Sequence, residues 1–239
     1  MVHRRSTAEH RQLTHPSPEP LPTLHIRFFA GIAQAAVDEV LAAAQLRRVA
    51  AKQMLVTAGE PASHLFMLRT GRCRYFRLTK AGDEILLHLL APGDTFGIGA
   101  MLKNPCPYIG SAEANSDVEA LVWEHASIRK FAALYPTLAD NALRIVLQYL
   151  NRYVDRHVGL VTKPAEQRLA ETLLSLGHRT GRLIPTGVQV EITNRQLGGL
   201  ADISSFTTSR LLSGWDRKGT VSKLRGKVLI HSPEDLVMD

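Results

Sequence analysis

Between Val49 and Glu124, turn signals recur about every 10 to 12 residues, and this spacing limits the chain more than any other feature. The signals are Ala58-Gly59-Glu60, Thr70-Gly71, Ala81-Gly82-Asp83 and Ala91-Pro92-Gly93-Asp94. Between them lie short apolar or alternating runs: Leu65 to Leu68, Cys73 to Leu78, Ile85 to Leu90 and Val118 to Trp123. Runs this short and this regularly punctuated predict an all-β barrel or sandwich.

The period changes on either side. Ile32, Ala36, Val40, Leu41 and Ala44 are spaced for a helix from Ile32 to Leu46. Pro136 can open a second helix, and Thr137 to Leu160 contains no proline and no glycine before Gly159. Apolar and aromatic residues fall there at Leu138, Ala142, Ile145, Val146, Tyr149, Leu150, Tyr153 and Val154. A stripe of this length suits a long helix with one side on the β domain and the other on a partner helix. Ala142, Val146, Tyr149 and Tyr153 are the expected dimer positions; the competing arrangement buries the helix within one subunit. Residues 1–24, rich in His and Arg and closing on Pro16-Ser17-Pro18-Glu19-Pro20-Leu21-Pro22, read as a flexible tail. The expected α+β organisation is thus a tail (1–24), a β domain (25–125), a dimerisation helix and hinge (126–162) and a C-terminal domain (163–239).

The C-terminal stretch from Ile192 to Lys218 carries the most chemistry. Thr193-Asn194-Arg195-Gln196 has the form of a capping box, in which Thr193 accepts from a first-turn amide and Gln196 reaches back. A short helix then runs from Gln196 to Ala201. Ser204 can cap a second helix that Gly219 stops. At 100° per residue, Thr208, Leu211, Leu212 and Trp215 share one face of that helix, while Phe206, Arg210, Ser213 and Arg217 share the other. Two helices joined by a short turn, the second with a basic outer face, make a helix-turn-helix. A lone Arg210 would read as a solvated helix residue; beside Arg217, after a capped helix pair, it reads as a fork for the two acceptors of guanine. Ser209 can bond a base or a phosphate, and the Phe206 ring can lie on a thymine methyl. Val221 to Leu224 and Val228 to Ile230 flank Arg225-Gly226-Lys227, a hairpin tip that would form a wing on the phosphates. Thr193, Arg195, Gln196, Ser204 and Ser205 complete the expected DNA-binding set.

The formal net charge of +7 and a pI of about 9.7 favour polyanion partners. Cys73 and Cys106 are too few for a disulfide framework or a four-thiolate site, and fit a reducing compartment. No stretch approaches a membrane span and the basic N-terminus has no secretion-signal core, so the expected location is the cytoplasm.

Taken together, these stretches resemble the CRP/FNR family of bacterial transcription regulators, over about residues 25 to 235. The resemblance is carried by His64-Leu65-Phe66-Met67-Leu68 through Gly71, Gly82-Asp83-Glu84 and Pro92-Gly93-Asp94-Thr95-Phe96-Gly97. It continues through Ile192-Thr193-Asn194-Arg195-Gln196-Leu197 and Ser204-Ser205-Phe206-Thr207-Thr208-Ser209-Arg210-Leu211-Leu212. It implies a double-stranded β-helix (a β-roll or jelly roll), a long dimerisation helix and a winged helix-turn-helix. It also implies a homodimer on a palindromic operator of double-stranded DNA, with RNA polymerase as a further partner. The family's recognition arginine falls on Arg210 and its frequent serine on Ser209, but a base-reading glutamate is replaced by Phe206.

The resemblance also places an effector pocket at Phe96, Gly97, Ile98, Gly99, Cys106 and Tyr108. Cyclic-nucleotide members hold the ribose with Gly-Glu and the phosphate with Arg-Ser. Here Ile98 stands in place of the glutamate, and no arginine lies between Lys103 and Arg129. A buried phosphodiester needs a cation, so cAMP is not expected to bind in the usual way. Two cysteines do not make an iron–sulfur cluster in one subunit. Haem stays an alternative through Cys106-Pro107 and the tail residues His3, His10 and His15, although Gly97 and Gly99 stand near the positions of known ligands. A redox role for Cys106 is a further alternative, with Cys73 structural. No metal site is expected. A cupin-like enzyme would need clustered His and carboxylate ligands; His64, His88 and His125 are scattered, and a non-enzyme is expected.

Overall fold

The computed structural model describes residues 27–236. The predicted tail, with His3, His10 and His15, lies outside the described residues. In chain order the elements are α1 (Gln34–Ala42), β1 (Gln45–Val49), β2 (Met54–Val56), β3 (His64–Thr70), β4 (Cys73–Leu78), β5 (Glu84–Leu90), β6 (Thr95–Phe96), β7 (Ser111–Ala114) and β8 (Val118–Glu124). Next come α2 (His125–Leu134), α3 (Pro136–Thr162), α4 (Ala165–Thr180), β9 (Arg182–Ile184), β10 (Gly187–Glu191), α5 (Asn194–Ala201), α6 (Ser205–Lys218), β11 (Val221–Leu224) and β12 (Lys227–Ile230).

The first eight strands form two facing antiparallel sheets, ordered β1-β8-β3-β6 and β2-β7-β4-β5. This is the β-roll. Its interior holds Leu65, Phe66, Met67 and Leu68, a continuous apolar run buried on both sides. Trp123 is fully buried, and its indole N–H donates to Val40 O at 2.7 Å, which fastens α1 to the roll. The first helix is shorter than its periodicity predicts. It ends at Ala42, and Gln45 to Val49 forms a strand paired with Val118 to Val122 of β8. The long-range ladder outweighs the helical pattern that runs on to Leu46.

Helix α3 runs from Pro136 to Thr162, with proline at its first position where no amide hydrogen is needed. Its two apolar stripes have different fates. Leu138, Ala142 and Ile145 are buried against the subunit's own β-roll. Leu143, Leu147, Leu150, Val154, Val158 and Val161 are exposed. Of the four expected dimer positions, Ala142 and Tyr149 pack on their own roll, and Tyr153 is half-buried. Of the four, Val146 is exposed, at 42%. The outward stripe starts one residue further along the helix, at Leu143.

The C-terminal segment packs α4, α5 and α6 against the antiparallel sheet β11-β12-β10-β9. Its core includes Leu169, Leu173, Leu197, Leu212 and Trp215. It also includes Phe76 of β4 with Leu86 and Leu89 of β5. The chain boundary expected near residue 163 falls between α3 and α4, but the apolar core crosses it. On β4, Cys73 joins the sensor core while Phe76 points outward into the second core, so this sheet is covered on both faces.

Candidate nucleic-acid interface and sensor cavity

The helix-turn-helix is built by its caps. Thr193 Oγ1 accepts from Gln196 N at 3.2 Å, and Gln196 Oε1 accepts from Thr193 N at 3.1 Å, closing the capping box. Ser204 Oγ accepts from Thr207 N at 3.0 Å and starts α6; Gly219, at φ 77°, ends it. Each cap is worth about 1 kcal/mol. The two helices touch at Gly198. A Cβ there would lie 2.5 Å from Thr208 Oγ1 and 2.8 Å from Ile203 O, so only glycine admits this crossing. Trp215 Nε1 donates to Glu166 Oε1 at 3.0 Å and ties α6 to α4.

The outer face of α6 is as the projection requires. Thr208, Leu212 and Trp215 are buried and Leu211 half-buried, whereas Phe206 is 76% exposed and Arg210 and Arg217 are exposed. Ser209 and Ser213 are half-buried beneath Lys223 of β11, whose ammonium donates to their hydroxyls at 3.1 and 3.3 Å. Lys223 thus adds a cation to the recognition face that strand alternation alone did not reveal. The wing turn carries Arg225, exposed. Lys227 faces Glu191 at 3.5 Å, so part of its charge is answered within the protein. Thr193 and Gln196 are engaged with each other, and Ser204 with its cap. Arg195 and Ser205 are exposed beside them.

Phe96, Gly97, Ile98, Gly99, Cys106 and Tyr108 all line one cavity of about 480 Å³, between the roll and α3. The remaining walls include Thr95, Tyr75, Tyr149 and Tyr153. Gly99 belongs to this wall because a Cβ would sit 2.6 Å from Cys106 Sγ. Burial pushes the Tyr75 hydroxyl up to about 12 and the Cys73 thiol up to about 12, so both stay protonated. Cys106 is exposed and Cys73 buried. The cavity fits haem poorly. Among the described residues it offers one thiol and no imidazole for the iron, and no cation for the propionates.

Behind the cavity, the sensor is bolted to the C-terminal segment. Tyr149 packs edge-on against His88, ring centroids 5.3 Å apart. His88 Nε2 accepts from Arg179 of α4 at 2.7 Å, and Arg179 also donates to Asp94 at 3.3 Å. Arg156 of α3 donates to Leu86 O at 3.0 Å, to Gly199 O at 2.6 Å and to the carboxylate of Asp202 in the helix-turn-helix turn. Asp202 itself adopts φ 53°, a left-handed conformation that a short polar side chain tolerates. Arg72 reaches Thr180 O at 2.9 Å.

Burial, reinforced by Arg179 and Arg152, holds the His88 imidazole well below its ordinary 6.5. Below about pH 6.5 the unfolded chain binds a proton that the folded chain refuses. The His88 contribution is therefore full above that pH and declines as pH falls toward the depressed folded value, by up to ~1.4 kcal/mol per pH unit. We expect urea midpoints to drop between about pH 7.5 and 5.5. His88→Gln should flatten that drop, and parallel profiles for the two proteins would show an ordinary imidazole.

Two family models match the chain. The cyclic nucleotide-binding domain model matches residues 46–135, and the Crp-like helix-turn-helix domain model matches residues 167–238. The CRP-like cAMP-activated global transcriptional regulator of Mycobacterium tuberculosis is 28% identical over 181 residues, covering 74% of this chain and 80% of that protein. The cAMP-activated global transcriptional regulator Vfr of Pseudomonas aeruginosa is 28% identical over 199 residues, covering 81% and 92%. In fold, the structure of FixK2 from Bradyrhizobium japonicum superposes with a TM-score of 0.71 at 22% identity, covering 81% of this chain and 95% of that one. With a β-roll sensor, a long connecting helix and a capped, basic helix-turn-helix in this order, the chain belongs to the CRP/FNR family of transcription regulators.

Proposed function

We propose that two copies of this chain pair along the exposed stripe of α3 and read an inverted-repeat operator with their α6 helices. The observation that carries this reading is the exposed Arg210–Phe206 edge on a helix whose opposite face is buried through Leu212 and Trp215. Arg210 faces a guanine, Phe206 a thymine methyl, and Arg225 with Lys223 the phosphates. Occupancy of the cavity controls DNA binding by shifting populations. Support comes from Tyr149, which lines the cavity and packs on His88, the acceptor for Arg179 of α4.

The chain is read as a non-catalytic cytoplasmic regulator acting on RNA polymerase. The family is made of transcription regulators, and no helix among the described residues is long and apolar enough to cross a membrane. Although relatives are named as cAMP-activated, the residues lining this cavity include no cation, so a cyclic phosphate would be buried uncompensated.

The test is selection of bound fragments from sheared genomic DNA, with and without cell extract. Enriched fragments should share an inverted repeat whose half-sites are centred about 34 Å, one helical turn, apart. Enrichment without a common repeat would overturn the reading.

A further inference from the structure

We propose that the cavity takes an uncharged, largely apolar ligand. The assignment rests on reading this domain as the sensor of a DNA-binding regulator, and it names the ligand class that the sensor admits.

The walls carry it: the cavity is lined by Leu90, Phe96, Ile98, Met101, Ala142 and similar side chains, and none of the lining residues is Lys, Arg, His, Asp or Glu. An ionised ligand would lose its hydration and gain no counter-charge, so charged metabolites are selected against.

Two of the wall hydroxyls are already engaged within the protein. Tyr108 Oη accepts from His64 N and donates to His64 O, each at 3.1 Å. Tyr75 Oη accepts from Gly110 N at 2.8 Å. A neutral ligand with apolar atoms against Phe96, Ile98 and Leu143 meets that condition. At about 480 Å³ the space lies within the usual range for small-molecule sites.

A matched pair of probes tests the class on the full-length protein. N-phenyl-1-naphthylamine is uncharged and carries one N–H; 1-anilinonaphthalene-8-sulfonate has the same rings plus a sulfonate. The neutral probe should bind saturably, one per chain, with a Kd at least ~10-fold below that of the sulfonate. Ala142→Phe, which fills the cavity, should abolish the signal. Ile109→Trp at the exposed mouth should weaken it too, and decides the matter if the first variant does not fold. Equal binding of the two probes, displacement by micromolar cAMP, or a signal that survives Ile109→Trp and Ala142→Phe would overturn the proposal. Duplex binding measured on the same preparations separates the two readings. Intact operator selection with no neutral-probe binding removes the ligand class and leaves the regulator.

Discussion

Arg210→Ala should abolish operator selection while leaving weak, sequence-blind DNA binding. The guanidinium offers two parallel donors to the two major-groove acceptors of a guanine, and a good bidentate pair discriminates by about 1–3 kcal/mol. Both half-sites of a dimer lose that pair, so the preference for operator over random duplex should fall by roughly 2–6 kcal/mol, about 30-fold or more. The helix itself should survive, because Arg210 is exposed and α6 is anchored through Leu212, Trp215 and the Ser204 cap. Arg225→Ala supplies the contrast. Arg225 is exposed on the wing turn and makes no hydrogen bond among the described residues, so its loss should weaken all sequences alike and reduce the salt slope by about 1 per half-site. Competition titrations against operator and random duplex at several salt concentrations distinguish the two. Equal weakening on every sequence by Arg210→Ala would refute its assigned role.

Leu150→Glu should split the dimer. Leu150 is 53% exposed in the centre of the outward stripe of α3, between Leu147 and Val154. A carboxylate there would face its own symmetry mate in a dry seam, two like charges with no cation to answer them. Sedimentation should show monomers at concentrations where the parent protein is paired. Operator affinity should fall by roughly 10²–10⁴, because the second half-site is no longer delivered by the first. The fold within each subunit should be retained, since the buried stripe of Leu138, Ala142 and Ile145 is untouched. A protein that stays dimeric and binds as before would place the subunit interface elsewhere.

Some of this was legible in the residues and some was not, for identifiable reasons. The caps of α5 and α6 are local chemistry: Thr193 with Gln196, and Ser204 ahead of Thr207, announce helix starts wherever the chain folds. The six pocket residues converge because the turns between the strands bring them together, which family order indicates. Which stripe of α3 turns outward was not legible, because the 142/146/149/153 and 143/147/150/154 stripes are both apolar. Only the β-roll decides which of them turns inward. Lys223 was missed because a strand's alternation says which face it occupies but not that the wing lies over Ser209 and Ser213. The end of α1 depended on pairing with β8, some seventy residues away by sequence, and no window along the chain contains that information.

Phe76, Leu86 and Leu89 belong to the winged domain's core while standing on sensor strands. Swinging that domain off the roll would bare all three to water, at about 1.5–3 kcal/mol each as an upper bound. Intermediate poses therefore gain nothing until some other surface takes up these side chains. Reorientation of the reading heads should proceed as a jump between two seatings, set by sticky contact at Phe76 rather than by slack at Lys163-Pro164.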